Sequence, residues 1–283
     1  MDANYHKSIE ELIKRAEELP PLPKVAYRAL RLLNKPDFSM KELADILSID
    51  QALTSTLLHW ANSSYYGLKY PVSTVHQAVT YLGEVTVRSL VLTASLANYL
   101  DRPIPGYFLD RGELWKHSVG IAVGAKLISK KLGKWASEEA YTAGLLCDIG
   151  KLAFDTTLRK LDKINPEWLK YPFNELEAKI FGIDHAELGA AIAKKWGFPD
   201  TLQEAIAYHH NPSKSKKDSL LPSAIHISDI LVSMLGIGIG RDGLQYTLDS
   251  AALKLLNLKE ADLENLLEQV SVLVKEAENV INP

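Results

Sequence analysis

Five of the eight histidines in the chain fall after residue 116, at His117, His185, His209, His210 and His226. Two aspartates accompany them: Asp148 in the run Cys147-Asp148-Ile149-Gly150-Lys151, and Asp229 three residues after His226. A lone histidine on a helix is ordinarily a packed or solvated residue. Several histidines and two aspartates on separate helices are the raw material of a metal site. Imidazole and carboxylate together suit Fe, Mn, Zn or Ni, and side chains on facing helices converge inside a bundle. The competing reading is a set of inherited, hydrogen-bonded core histidines. Cys147 is the single cysteine, so no intramolecular disulfide forms, which suits a reducing cytoplasm. Its position after Gly144-Leu145-Leu146 predicts a buried thiol.

The elements that must carry these residues are helical. Leu30, Leu33, Leu43, Ile46 and Leu47 recur at three- and four-residue spacing, as do Leu263, Leu266, Leu267 and Val270. No set of alternating strands competes. Ser39-Met40-Lys41-Glu42 is a capping-box pattern that starts a helix, and Ser137-Glu138-Glu139 does similar work before Ala140. Asp50 can cap a helix from Gln51, which Ala61-Asn62-Ser63 should end, with Gly67 in a turn. Pro20, Pro21 and Pro23 give a rigid lead into the first of these helices. The prolines and glycine in Asp101–Gly106 should divide the chain into an N-terminal helical lobe, 1–105, and a larger lobe with C-terminal helices, 106–283. Gly236, Gly238, Gly240 and Gly243 follow a helical stretch without a Gly-Lys-Ser/Thr, so they read as a flexible loop rather than a phosphate cradle.

Charge narrows the function. The net charge of −3 gives no overall attraction to nucleic acid or an anionic membrane. Residues 39–63 could form a helix-turn-helix, but there is no Lys or Arg from Asp50 through Leu68. Phosphate contacts supply most non-specific DNA affinity, so DNA binding by this helix is not expected. The basic loop Asn211–Leu221 reads as a solvated face. The polar N-terminus has no apolar signal core, and Ser89–Leu100 is too short to span a bilayer, so a cytoplasmic location is expected.

Several spaced segments together resemble the HDOD family, output domains related to HD phosphohydrolases. They are Leu22-Pro23, Glu42-Leu43-Ala44, Asp50 with Leu53, Ala61-Asn62-Ser63 with Tyr66-Gly67, and Ala78 with Leu82-Gly83. The match continues through Trp115, His117 and Ala143-Gly144-Leu145-Leu146. The resemblance implies an all-α, multi-helical HD-like bundle with an N-terminal helical lobe, and a regulatory role in bacterial signal transduction. That role is expected to be non-catalytic and to act through a signalling protein partner or a nucleotide-like ligand.

The resemblance also implies a ligand order. His117, Cys147-Asp148, His185, His209-His210 and Asp229 follow the order of metal ligands in the HD-GYP phosphodiesterases, and Lys151 stands where a lysine helps bind phosphate. One implied cation position would use Asp148, His185, His209 and His210. The other would use His117, Cys147, Asp148 and Asp229, and is weakened because Cys147 stands in place of a histidine. The loop after His210 lacks the Gly-Tyr-Pro motif. One divalent transition metal can therefore survive without two-metal hydrolysis of a phosphodiester, the other outcome being a site with no cofactor. The alternative is a metal-dependent phosphohydrolase acting on nucleotides.

Overall fold

The computed structural model describes residues 12–14, 23–33, 35, 37–63, 67–133, 137–159, 171–240 and 245–281. Pro20, Pro21, Tyr65, Tyr66 and Gly243 fall outside them. The chain is all-α: no strand occurs among the described residues, and the only pairing there is an isolated antiparallel bridge between Ile104 and Leu109. No described helix is long and apolar enough to cross a membrane.

The chain divides into two compact units. One comprises Pro21–Asn98 with Val272–Pro283, the other Met1–Pro20 with Tyr99–Ser271. The first contains α1 (Lys24–Leu33), α2 (Met40–Leu47), α3 (Gln51–Ala61) and most of α4 (Val75–Leu100). Local chemistry sets their ends. Ser39 caps α2 by accepting from the Glu42 amide, and Asp50 caps α3 by accepting from the Leu53 amide at 2.9 Å. Asn62 ends α3, and its side chain clamps the chain beyond: Nδ2 donates to the Val72 carbonyl and Oδ1 accepts from the Val72 amide. Trp60 is core. α4 is broken at Gly83, whose φ of 76° a side-chain-bearing residue rarely adopts. Arg88 beyond the break donates to the Leu33 carbonyl at the end of α1. Leu43, Leu47, Leu57, Val79 and Val91 lie in the core of this unit.

The second unit holds every candidate metal ligand. Its helices are α5 (Glu113–Leu132), α6 (Ser137–Leu146), α7 (Lys151–Arg159), α8 (Phe173–Phe181), α9 (His185–Lys195), α10 (Asp200–Ala207), α11 (Leu220–Met234), α12 (Ser250–Leu255) and the first part of α13 (Glu260–Ile281). α5 packs against both α6 and α11, and all three are buried over most of their length. A helix buried on all sides must satisfy its polar residues internally. Lys126 of α5 accordingly pairs with Glu138 of α6 at 2.5 Å, both buried. Glu138 thus lies inside the unit rather than on an exposed first turn. Ile128, Ile227, Leu231, Leu256 and Leu266 extend the core towards α12 and α13.

Candidate metal centre

Several elements deliver the site. His117 lies in the second turn of α5, and Asp229 in the middle of α11. Asp148 sits in the tight turn between α6 and α7, with Lys151 opening α7. His185 is the first residue of α9, whose start is fixed by a capping box between Asp184 and Glu187. His209 and His210 follow the end of α10. The Asp148 turn can approach α9 because residue 150 is glycine. A Cβ there would overlap the His185 carbonyl and lie 2.8 Å from the Gly189 amide nitrogen.

These residues converge. One ligating atom from each of Asp148, His185, His209 and His210 lies within 4.8 Å of all the others. Asp148 divides its two oxygens. Oδ1 faces His185 Nε2 at 3.3 Å and His209 Nε2 at 3.9 Å, while Oδ2 faces His117 Nε2 at 3.5 Å and the Lys151 ammonium at 2.9 Å. His117 Nε2 also meets Asp229 Oδ1 at 3.1 Å, and its Nδ1 donates to the Ile237 carbonyl at 2.7 Å. His210 Nε2 lies 2.8 Å from His185 Nε2, and its ring stacks on Tyr246.

The donor chemistry fits a cation. His209 Nδ1 donates to the Ile206 carbonyl at 2.7 Å, which leaves Nε2 as a lone pair facing the cluster. His209 Nε2 and His210 Nδ1 are buried without hydrogen-bond partners, a costly condition that an ion at the centre can relieve. The buried His/Asp cluster could therefore hold a metal.

Electrostatics separate the histidines. Burial disfavours the charged form of His185, but the Glu177 charge and hydrogen bonds to Asp148 and Glu177 outweigh it and raise its pKa to about 10. Burial, with the neighbouring His185 charge, lowers His209 to about 4 against the opposing pull of Asp148. His210 is held well below the ordinary histidine value by burial and by His209 and His185. Burial opposes ionisation of Asp148, yet Lys151, His185 and His117 hold its carboxyl well below the usual range.

Cys147 takes no part in the cluster. It is fully buried, its thiol donates to the Gly144 carbonyl at 3.1 Å, and burial followed by the Asp148 and Asp229 charges pushes its pKa well up. His226 supports the site from behind. Its Nδ1 donates to the His209 carbonyl and its Nε2 accepts from the Asp249 amide, tying the histidine pair to the start of α12. The glycine run also does more than form a flexible loop. Gly236, Gly238 and Gly240 adopt positive φ, and a Cβ on Gly238 would lie 2.5 Å from the Glu113 carbonyl oxygen and 2.8 Å from His117 Cβ. The run lies against α5 and presents the Ile237 carbonyl to His117. Sequence reading also missed Glu177 and Tyr107, since neither stands in a motif with the ligands. The one available signal was an acidic residue among the apolar positions of Phe173–Phe181.

The sequence profile of the HDOD domain matches residues 19–212, well over half of the chain, and the chain belongs to the HDOD family. An HDOD domain protein of unknown function from Geobacter sulfurreducens superposes with a TM-score of 0.72 at 27% identity, covering 96% of this chain and 98% of that one. A protein from Shewanella amazonensis provisionally designated a phosphohydrolase gives 0.71 at 25% identity, over 95% and 96%. One from Marinobacter aquaeolei provisionally designated a signal transduction protein gives 0.70 at 25% identity, over 99% of this chain and 65% of that one. Among curated proteins, an uncharacterized protein of Treponema pallidum is 25% identical over 235 residues, 81% of this chain. The aligned region spans 45% of that relative's length.

Proposed function

We propose that this chain is a non-catalytic HDOD signalling module. Its degenerate HD site holds a single divalent transition ion, Fe, Mn, Zn or Ni, through Asp148, His185, His209 and His210. The ion acts as a staple joining α9, the end of α10 and the turn between α6 and α7. A signalling protein partner, or a nucleotide-like ligand, is what the module recognises.

The observation that carries this reading is the unequal treatment of the two Asp148 oxygens. Oδ1 faces His185 and His209, which with His210 supply a ligand set, whereas Oδ2 is ion-paired with Lys151 at 2.9 Å. A second cation beside Oδ2 would have to displace that ammonium, with Cys147 turned towards Gly144 instead of serving as a ligand. Two-metal hydrolysis needs both cations clamping one phosphate. Two features support the phosphohydrolase alternative: His117 and Asp229 still converge on Oδ2, and the Shewanella protein carries that designation.

The test is elemental analysis of untagged protein, followed by incubation with cyclic di-GMP in the presence of Mn or Fe. About one metal ion per chain and no turnover is the expected result. Metal-dependent turnover that disappears in Asp148→Ala would defeat the non-catalytic reading and establish the hydrolase.

A further inference from the structure

We infer that Glu177 is the positioning residue of the metal centre: its carboxylate sets the His185 ring so that Nε2 faces the ion. This inference rests on the metal reading above. Glu177 lies on α8, is fully buried, and uses both oxygens. Oε2 accepts from the His185 backbone amide and from His185 Nδ1, each at 2.7 Å, and Oε1 accepts from the Tyr107 hydroxyl at 2.5 Å. The Nδ1 bond turns Nε2 towards the cluster, 3.3 Å from Asp148 Oδ1 and 2.8 Å from His210 Nε2. A carboxylate behind a histidine ligand fixes the ring's orientation and increases its basicity as a ligand.

Simple helix capping does not account for the arrangement. α9 already has its capping box from Asp184 and Glu187, and the side-chain bond to Nδ1 contributes nothing to a helix start. An isolated buried carboxylate is expensive, and an apolar residue would fill the space without that cost. Tyr107 holds the carboxylate from the other side. It sits in the short turn Pro105–Tyr107, packs on Phe173 with ring centroids 4.8 Å apart, and meets the His185 ring edge-on. Tyr107, Glu177, His185 and Asp148 thus form one chain of contacts from a loop to the ligand cluster. None of the first three is a sequence neighbour of Asp148.

The test compares zinc affinity, by competition with a chromophoric chelator, and the visible absorption spectrum after cobalt loading. Glu177→Leu keeps volume but removes both acceptors. It should weaken zinc binding by about 10- to 100-fold and alter the cobalt spectrum. Glu177→Gln keeps an acceptor for His185 and should recover most of the affinity with a spectrum close to wild type. Tyr107→Phe, which frees Oε1 alone, should weaken zinc binding less than Glu177→Leu and shift the cobalt bands. Glu138→Gln breaks the Lys126 pair, which includes none of the four ligands, and is the control for stability loss alone; its cobalt spectrum should be unchanged.

A folded Glu177→Leu protein with wild-type zinc affinity and cobalt spectrum would overturn the inference while leaving the metal reading intact. If Glu177→Leu does not fold, Tyr107→Phe decides: unchanged affinity and spectrum there overturn it. Wild-type protein that takes up neither zinc nor cobalt brings down the metal reading and this inference with it.

Discussion

Raising the pH through the neutral range should tighten metal binding by close to tenfold per unit, because His185 must surrender a proton to become a ligand. In the metal-free site both ring nitrogens of His185 face carboxylates, Glu177 at 2.7 Å and Asp148 at 3.3 Å, and its pKa is raised to about 10. At pH 7 it is an imidazolium. Three pH units below that value, releasing the proton costs about 4 kcal/mol, on the order of a thousandfold in apparent affinity. His209, lowered to about 4, is already neutral and adds no further proton at neutral pH. Calorimetry at pH 7 in buffers of different protonation enthalpy should therefore report at least about one proton released per metal ion. Affinity independent of pH between 6 and 8, with no proton release, would refute the reasoning.

The same groups shape stability without metal. The folded pKa of His185 lies above its ordinary 6.5, so its contribution is full below about 6.5 and is lost as pH rises towards 10. The folded pKa of His209 lies below 6.5, so stability falls as pH drops from 6.5 towards 4. Bound metal replaces the His185 proton and should abolish the loss on the alkaline side.

Replacing His209 or His185 with alanine should lower metal content and thermal stability together; with free metal at 100 times Kd, the linked loss is about 2.7 kcal/mol by calorimetry or denaturant titration. Native Cys147 should react with a thiol reagent far more slowly than the unfolded chain, and fast stoichiometric labelling would contradict its burial. Gly150→Ala should destabilise the protein by about 1–3 kcal/mol or more and reduce metal uptake, since the added methyl overlaps the His185 carbonyl. Asn62→Ala loses two bonds to Val72 and should cost about 1–2 kcal/mol in denaturant titration, with metal content unchanged.

Helix class and several helix ends were legible in the sequence because their causes are local. Ser39 and Asp50 accept from amides three residues ahead, and Asn62 closes α3 where Ala61-Asn62-Ser63 marks its end. The order His117, Asp148, His185, His209-His210, Asp229 was legible through resemblance, as was the departure at Cys147. Tertiary packing decided how those residues meet. That one Asp148 oxygen faces His185 and His209 while the other faces His117 and Lys151 requires its turn to approach α9 closely, a distance that Gly150 permits. The Cys147 thiol turned to a carbonyl three residues behind it, and the glycine run became the support for His117. Glu177 and Tyr107 carried no motif because hydrogen-bond partners in a buried site are chosen through space. Tyr107 is 70 residues from Glu177 along the chain, and only the fold places its hydroxyl on the carboxylate behind His185.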